Sequence, residues 1–448
     1  MSAAESFGQY MALIQANMSL FDADPALLAA LRSKAVEAMP GLIDSYRPDK
    51  SVPASCRTAE LYAPDYGINL QHLDMTADVA ASFHCGVPNL NCHLMVVVGD
   101  VVHFTDSMAR MPEGIEVFSL RRLPQKYMAE AIANASDTWP LNALLLSDGI
   151  YIRVAEGYRI DKPVQIVNLF NSTMPMLTPR RVIVDARAGS SLRVLLCDHS
   201  QSPETPHLAS EVIDLHVGEG ARVELYDIEE SAPATRRHWQ LNARQAHNSE
   251  LVVNTTYLHG GVTANEYNVD VLGNGCYTSL SGLAVCTDSQ TVSNKVLLRH
   301  RGEHCTSRQL FKTAVFDNAH GAFGGRVVVE ESARYTDAAQ TNRNILVSPD
   351  ARMDASPQLE IYCDEVKASH GATTGRLDER AMFYMQSRGI PADEARRMLT
   401  QAFMADVIDN ISYEVLRQRL HVLVEKRLNG DAASCSTCAS SCHNNTEP

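Results

Sequence analysis

Three thiols and an imidazole crowd the C-terminal tail, as Cys435-x-x-Cys438-x-x-x-Cys442-His443. Thiolates and imidazole are the ligands that zinc and iron–sulfur species take, and this spacing could hold either. The tail from Asn429 to Pro448 is otherwise small and polar, so the plainer expectation is a disordered segment with incidental thiols. Eight more cysteines lie scattered between Cys56 and Cys363. Most read as free, buried thiols of a reducing compartment, behaving as small apolar residues. His300, His304 and Cys305 have the look of metal spacing, but they fall at a turn between strands, where polar residues belong in any case, and they read as structural.

Much chemistry is missing. No G-x-x-x-x-G-K-[ST] phosphate loop, G-x-S-x-G elbow, H-E-x-x-H helix or strand-bound G-x-G-x-x-G occurs. The chain should therefore not hydrolyse nucleotide, and the expectation is a protein that is not an enzyme. A net charge of −14 argues against nucleic-acid binding, which needs an excess of Lys and Arg. The opening residues MSAAESFGQY lack a basic n-region and a long apolar run, and no stretch approaches the ~20 apolar residues of a spanning helix. These features predict a cytoplasmic protein without membrane association.

The elements that position such residues fall into three regions and a tail. Residues 1–125 read as mixed and partly helical. Leu27, Leu28, Leu31, Ala35 and Met39 recur at helical spacing behind Asp24-Pro25, with Asp24 as the expected cap. LMVVVGDVVHFTD, from Leu94 to Asp106, reads as a hairpin turning at Gly99-Asp100. Residues 126–376 hold short Val/Leu/Ile-rich strands joined by tight polar turns, such as RVIVDARAGSSLRVLL and EVIDLHVGEGARVELYDI. Turns aligned at Ser191, Ala221, Ser249, Cys276 and Cys305 recur every 27–30 residues with no helix between them. A near-constant period of that size means stacked repeats. A parallel β-helix or an antiparallel sandwich could satisfy it, and the regularity favours the β-helix. Residues 377–428 are helical again. A helix ending at Gly389 and another opening at Pro391 are expected, the second with an apolar stripe of Ala395, Met398, Leu399, Ala402, Phe403 and Val407. Residues 429–448 form the cysteine-bearing tail.

Several long segments carry a family resemblance. PQLEIYCDEVKASHGATTGRLDERAMFYMQSR (357–388), the stretch beginning LRRLPQKYMAEAIANASDTWPLNALLLSDG, and HRGEHCTSRQLFKTAVFDNAHGAFGGRVVVEESARYTDAAQTNRNILVSPDA resemble the SufB/SufD family of iron–sulfur cluster assembly scaffolds, in the same order over roughly residues 120–415. The divergent N-terminal region and overall length resemble the SufD branch more than the SufB branch. The resemblance implies a right-handed parallel β-helix flanked by helical regions. It also implies a complex with a SufB-like subunit and a SufC-like ABC ATPase gripped through the C-terminal helices, a transient iron or iron–sulfur cluster at the subunit interface, and delivery to apo iron–sulfur proteins. A homodimer of the isolated chain stays open.

That resemblance singles out His370, in Ala368-Ser369-His370-Gly371, as the iron or cluster ligand at the subunit junction. Imidazole is a good iron ligand, and a transient site needs few protein ligands. Gly371 is expected to release the strand and let the histidine project from the solenoid edge. Many relatives carry K-C-S-H-G; here Ala368 stands at the cysteine position and cannot ligate metal. Cys363 shares parity with Leu359 and Ile361 and should point into the core. Glu360, Asp364 and Glu365 could hold incoming iron, although a solvated outer face is the simpler assignment. Two alternatives remain: a carbohydrate-active β-helix enzyme, which needs paired acids along one exposed sheet, and a SufB-like subunit bearing its own cluster.

Overall fold

The computed structural model describes residues 3–47, 52–71, 73, 75, 77, 90–103 and 111–430. Most of the chain's strands run in two long sheets, one of ten strands and one of nine, in which almost every strand hydrogen-bonds in parallel to the strand two places along the chain. The chain thus alternates between the sheets, and successive coils stack. Ser191–Ser200 pairs with Arg222–Glu230, which pairs with Glu250–Tyr257, then Tyr277–Cys286, Thr306–Val315, Thr336–Leu346 and Val366–Gly375. The expected parallel β-helix is present, and the sandwich is overturned, because its strands would pair antiparallel.

Strand alternation builds the core. Val194 and Leu196, Val223 and Leu225, and Leu251 and Val253 point inward from one sheet, facing Ile213 and Leu215, and Trp239 and Leu241, from the other. The repeat has a backbone cause as well. Gly189, Gly220, Asn248, Gly275, His304 and Tyr335 all have φ between 54° and 69°. In each the N–H donates to a carbonyl of the following coil, as from Gly220 to His247 and from Tyr335 to Glu365. This left-handed residue turns every coil at the same corner, which fixes the period. The next residue forms its own ladder: Ser190, Ala221, Ser249, Cys276 and Cys305 accept in turn from the strand starts of the following coils. The first member is therefore Ser190, one residue before the predicted Ser191. Glycine and asparagine tolerate positive φ, whereas His304 and Tyr335 adopt it at a cost. Their rings stack at 4.7 Å.

The two sheets already begin in His93–Val98 and Ile115–Ser119. The hairpin forms as read, Val96–Val98 against Val101–His103, with Gly99 at φ 61°; its last three expected residues lie outside the described ones. Helix Ala26–Ser45 buries Leu27, Leu28, Leu31, Ala35 and Met39. Its cap differs from expectation: Pro25 occupies the N-cap, and Asp24 instead accepts from Arg32 at 2.9 Å and Arg121 at 3.2 Å.

At the other end, helices Ala392–Asp409 and Glu414–Leu428 lie on the outer face of the ten-stranded sheet. The buried row of the first is Ala395, Thr400, Met404, Val407 and Ile408. Met398 and Ala402, placed in the stripe from sequence, face solvent, and Thr400 is buried in their stead, its hydroxyl satisfied by the Arg396 carbonyl of its own helix. Polar clasps hold the pair down. Lys312 Nζ donates to Phe403 O and Asp406 Oδ2, both at 2.7 Å, and Asn254 Nδ2 to Val407 O at 3.0 Å. Ser412 Oγ donates to Glu224 Oε2 at 2.6 Å. Helix Glu379–Ser387 is different: none of its residues is buried.

Candidate functional site

The solenoid's last coil is built from Arg352–Ile361 and Val366–Gly375, and each strand pairs on one side only. No further strand among the described residues covers the other side, so backbone donors and acceptors and the ends of the inner rows are left open. His370 lies here. Its strand runs unbroken through Gly371 to Gly375, and Gly371 has neither a positive φ nor any atom that a Cβ would meet within 4 Å. The expected release of the strand at Gly371 is therefore wrong. Register settles the direction instead: Ala368 pairs with the inward-facing Ala338, and His370 with Gln340. Gln340 faces inward too, since a Cβ on Gly325 of the opposite sheet would meet its amide nitrogen at 2.4 Å. His370 thus stands on an inner row at the open mouth, exposed only because no coil follows.

Beneath it runs a column of amides. Gln340 Nε2 donates to Gln309 Oε1 at 2.9 Å, one coil further in. Gln340 Oε1 is buried with no hydrogen-bond partner. The inner rows of the last coil otherwise hold Met353, Ala355, Pro357, Leu359 and Ile361 on one strand and Val366, Ala368, Ala372 and Thr374 on the other, so His370 is their one ionisable group. Ala368 occupies an inner-row place two residues away, which is where a thiol would have pointed toward the same mouth.

The neighbouring acids behave as an outer face. Glu360 has the opposite parity to Leu359 and meets Arg326 at 3.5 Å, Glu365 meets Arg334 at 3.8 Å, and Asp364 is exposed. Cys363 sits just past its strand, half-buried against the Val327, Val329, Ala333 and Ala338 cluster. His300 is buried, Nε2 within 2.9 Å of Ser307 Oγ, and burial pushes it down to about 4, while His304 lies outside on the turn ladder. Those two and Cys305 do not converge. The seven described cysteines are all unpaired, and five are buried. Cys435, Cys438 and Cys442 lie outside the described residues.

One constellation escaped the sequence reading. Asp198, Glu211 and Asp227 converge inside the solenoid with oxygens within 4.8 Å of one another. Arg237 occupies their centre: it forks onto Asp227 at 2.7 and 2.8 Å, meets Glu211 at 3.1 Å and lies 2.8 Å from Asp198. Arg180 adds a bond to Asp198 at 3.0 Å. Burial, then the neighbouring Asp198 charge, push Glu211 up to about 7. Burial likewise pushes Glu229, two residues beyond Asp227, up to about 7. Asp198, Glu211 and Asp227 are sealed inside and held by guanidinium groups, and Glu229 is buried against Ser231, so they offer no exposed acid pair of the kind glycoside hydrolysis requires. The available signal was parity: Asp198 follows Val194 and Leu196 on the apolar face of its strand, and Asp227 follows Val223 and Leu225.

A second exposed feature lies beyond the solenoid. Phe383 and Tyr384 on helix Glu379–Ser387 are 74% and 58% exposed, and Met398 is 46% exposed on the helix after it. Apolar side chains in that state on adjoining helices form a surface suited to a partner.

Fold and site together define a parallel β-solenoid with an open, histidine-bearing terminal coil and helical flanks. Its sequence matches two family models, "SUF system FeS cluster assembly, SufBD core domain" over residues 169–403 and "SufBD protein N-terminal region" over residues 4–166. The chain belongs to this SufBD family. It is 27% identical over 314 residues to the iron–sulfur cluster assembly protein SufD of Escherichia coli, covering 69% of this chain and 72% of that protein. It is 28% identical over 343 residues to the chloroplastic protein ABCI7 of Arabidopsis thaliana, covering 72% and 71%. A SufBD family protein of Mycobacterium leprae is 35% identical over 182 residues, covering 39% of this chain and 46% of its own.

Proposed function

We propose that this chain is the SufD-like, non-catalytic subunit of a three-component complex that builds iron–sulfur clusters for apo-proteins. A SufB-like subunit docks on the open terminal coil, and a SufC-like ABC ATPase on the exposed face of helix Glu379–Ser387. The chain itself binds no nucleotide. Iron, or a nascent cluster, is the cargo: His370 holds it at the junction, and the partner supplies the thiolate that Ala368 cannot. The observation that carries this reading is the placement of a lone exposed imidazole on the inner row of a coil whose strand edges are both unpaired. Unpaired edges recruit further strands. The cytoplasm, a reducing compartment, suits the unpaired cysteines.

Co-expression with SufB-like and SufC-like partners followed by purification tests the assembly; a stable ternary complex is expected. His370→Ala should keep its melting temperature and both partners, yet support little cluster formation in an anaerobic reconstitution of the whole complex. Full cluster yield removes His370 from the mechanism, and loss of the fold returns it to a structural role.

A further inference from the structure

We propose that Gln340 is a positioning residue for His370, fixing the tautomer of its imidazole from the coil below. The inference rests on the reading of His370 as the cargo ligand only for its functional consequence, not for its geometry. Three observations carry it. Gln340 and His370 are register partners on adjacent parallel strands, both on an inner row. Strands so paired lie about 4.8 Å apart, so rotation of the exposed imidazole, which makes no bond to the amide in this structure, can bring a ring nitrogen to Gln340 Oε1. Gln340 is 2% exposed, and its Oε1 is buried without a partner, an arrangement that is costly unless a donor arrives.

The amide cannot satisfy that oxygen by looking inward. Its Nε2 is committed to Gln309 Oε1 at 2.9 Å, which aims the carbonyl away from that bond. Across the solenoid stands Gly325, which has no side chain to offer and whose lack of a Cβ is what makes room for the amide. Gln309 Nε2 is also unpartnered, but it lies one coil further in; toward the open mouth the donor on the row is the ring N–H of His370. Accepting from one ring nitrogen fixes the other as the lone-pair nitrogen, the one able to bind iron. Outer partners of metal-binding histidines do this in general, and their loss costs roughly 10–100-fold in metal affinity. Gln309, Gln340 and His370 then form one polar column that ends at the open mouth.

The test reads the tautomer directly in the full chain, without iron. In protein labelled with 15N-histidine, the His370 ring signals are assigned by their loss in His370→Asn, above the pH at which imidazole is charged. The unsubstituted protein should show one ring nitrogen protonated in clear excess. Gln340→Met, which keeps the length and removes the acceptor, should relax His370 toward the tautomer mixture of a free imidazole. Gln340→Glu, which restores an acceptor, should return the excess. If Gln340→Met lowers the melting temperature, the double variant Gln309→Met with Gln340→Met, which leaves no widowed amide, gives the same reading. A free mixture in the unsubstituted protein, or no change in either Met variant, overturns the proposal while leaving His370 as a ligand. In the reconstituted complex, Gln340→Met should slow cluster formation about 10-fold. A fixed tautomer released by Gln340→Met, together with full cluster yield from His370→Ala, would instead uphold the positioning and defeat the cargo role.

Discussion

A carboxyl group sealed inside a protein trades charge for burial, and Glu229 is the clearest instance. It is fully buried, with Oε1 bonded to Ser231 and Oε2 unpartnered, and its pKa is pushed up to about 7. Because the folded-state pKa lies above the unfolded value, the unfolded chain loses its proton first as pH rises. Stability contributed by the neutral acid is complete below about 4.5, falls as pH climbs toward 7, and levels beyond it. One pH unit inside that window corresponds to about 1.4 kcal/mol. Glu229→Gln should therefore gain stability relative to the unsubstituted protein between pH 5 and pH 8, read as a widening gap between urea midpoints. A gap that is constant with pH would show that Glu229 stays ionised, its charge met by Arg237. Residue types alone concealed this group. Its parity with Asp227 and Leu225 marked it as inward, but nothing in the sequence tells that Arg237, on the next strand of the opposite sheet, will face these buried acids. His370 carries the same lesson in reverse. The S-H-G resemblance singled it out, yet its direction was not legible, since only register with Gln340 shows that it faces the solenoid mouth.

The C-terminal helices divide by what holds them. Helices Ala392–Asp409 and Glu414–Leu428 are clasped to the sheet, and Lys312 is the strongest link, buried with its ammonium between Phe403 O and Asp406 and 4.7 Å from the Phe403 ring. Lys312→Met keeps the stem and leaves the carbonyl unsatisfied, so it should cost about 1–3 kcal/mol. Limited proteolysis should then release the two helices before the solenoid; cleavage unchanged from the unsubstituted protein would place the anchoring elsewhere. Helix Glu379–Ser387 has no such tether. Phe383→Asp should leave stability within about 0.5 kcal/mol, as expected of an exposed site, while abolishing pull-down of a SufC-like ATPase. Binding that persists through Phe383, Tyr384 and Met398 substitutions would move the docking site off this face. The boundaries of these helices were legible because Gly389 and Pro391 punctuate them, and Gly389 does take φ 87°. The buried stripe was misread because helical periodicity gives an apolar face, while the clasps at Phe403, Asp406 and Val407 set the face turned to the sheet, which brings Thr400 inward and leaves Met398 and Ala402 outside.

At the scale of the whole molecule, a solenoid is a column whose coils each need two neighbours, and its last coil has one. The period was readable because a residue with positive φ recurs at one corner. It did not disclose where stacking stops, since Arg352–Ile361 and Val366–Gly375 look like any other coil in sequence. The consequence is energetic. Interior coils share their backbone hydrogen bonds on both sides, whereas Val366–Gly375 bonds only to Thr336–Leu346 and its residues are almost all exposed. Local opening free energy falls where contacts are few and backbone bonds meet water. Amide hydrogen exchange in the isolated chain should therefore show Arg352–Gly375 exchanging orders of magnitude faster than Glu250–Tyr257, two strongly contrasting parts of one sheet system. Adding a SufB-like partner should slow exchange selectively in that terminal coil, as its edges acquire bonds. The SufC-like ATPase should instead protect Glu379–Ser387 and leave the coil unchanged. Slow exchange in the isolated chain at all concentrations would mean that the end is already closed by other means. Slow exchange that appears only as concentration rises would mean that a second copy of the chain covers the open coil, and the SufB-like partner must then displace it to reach His370.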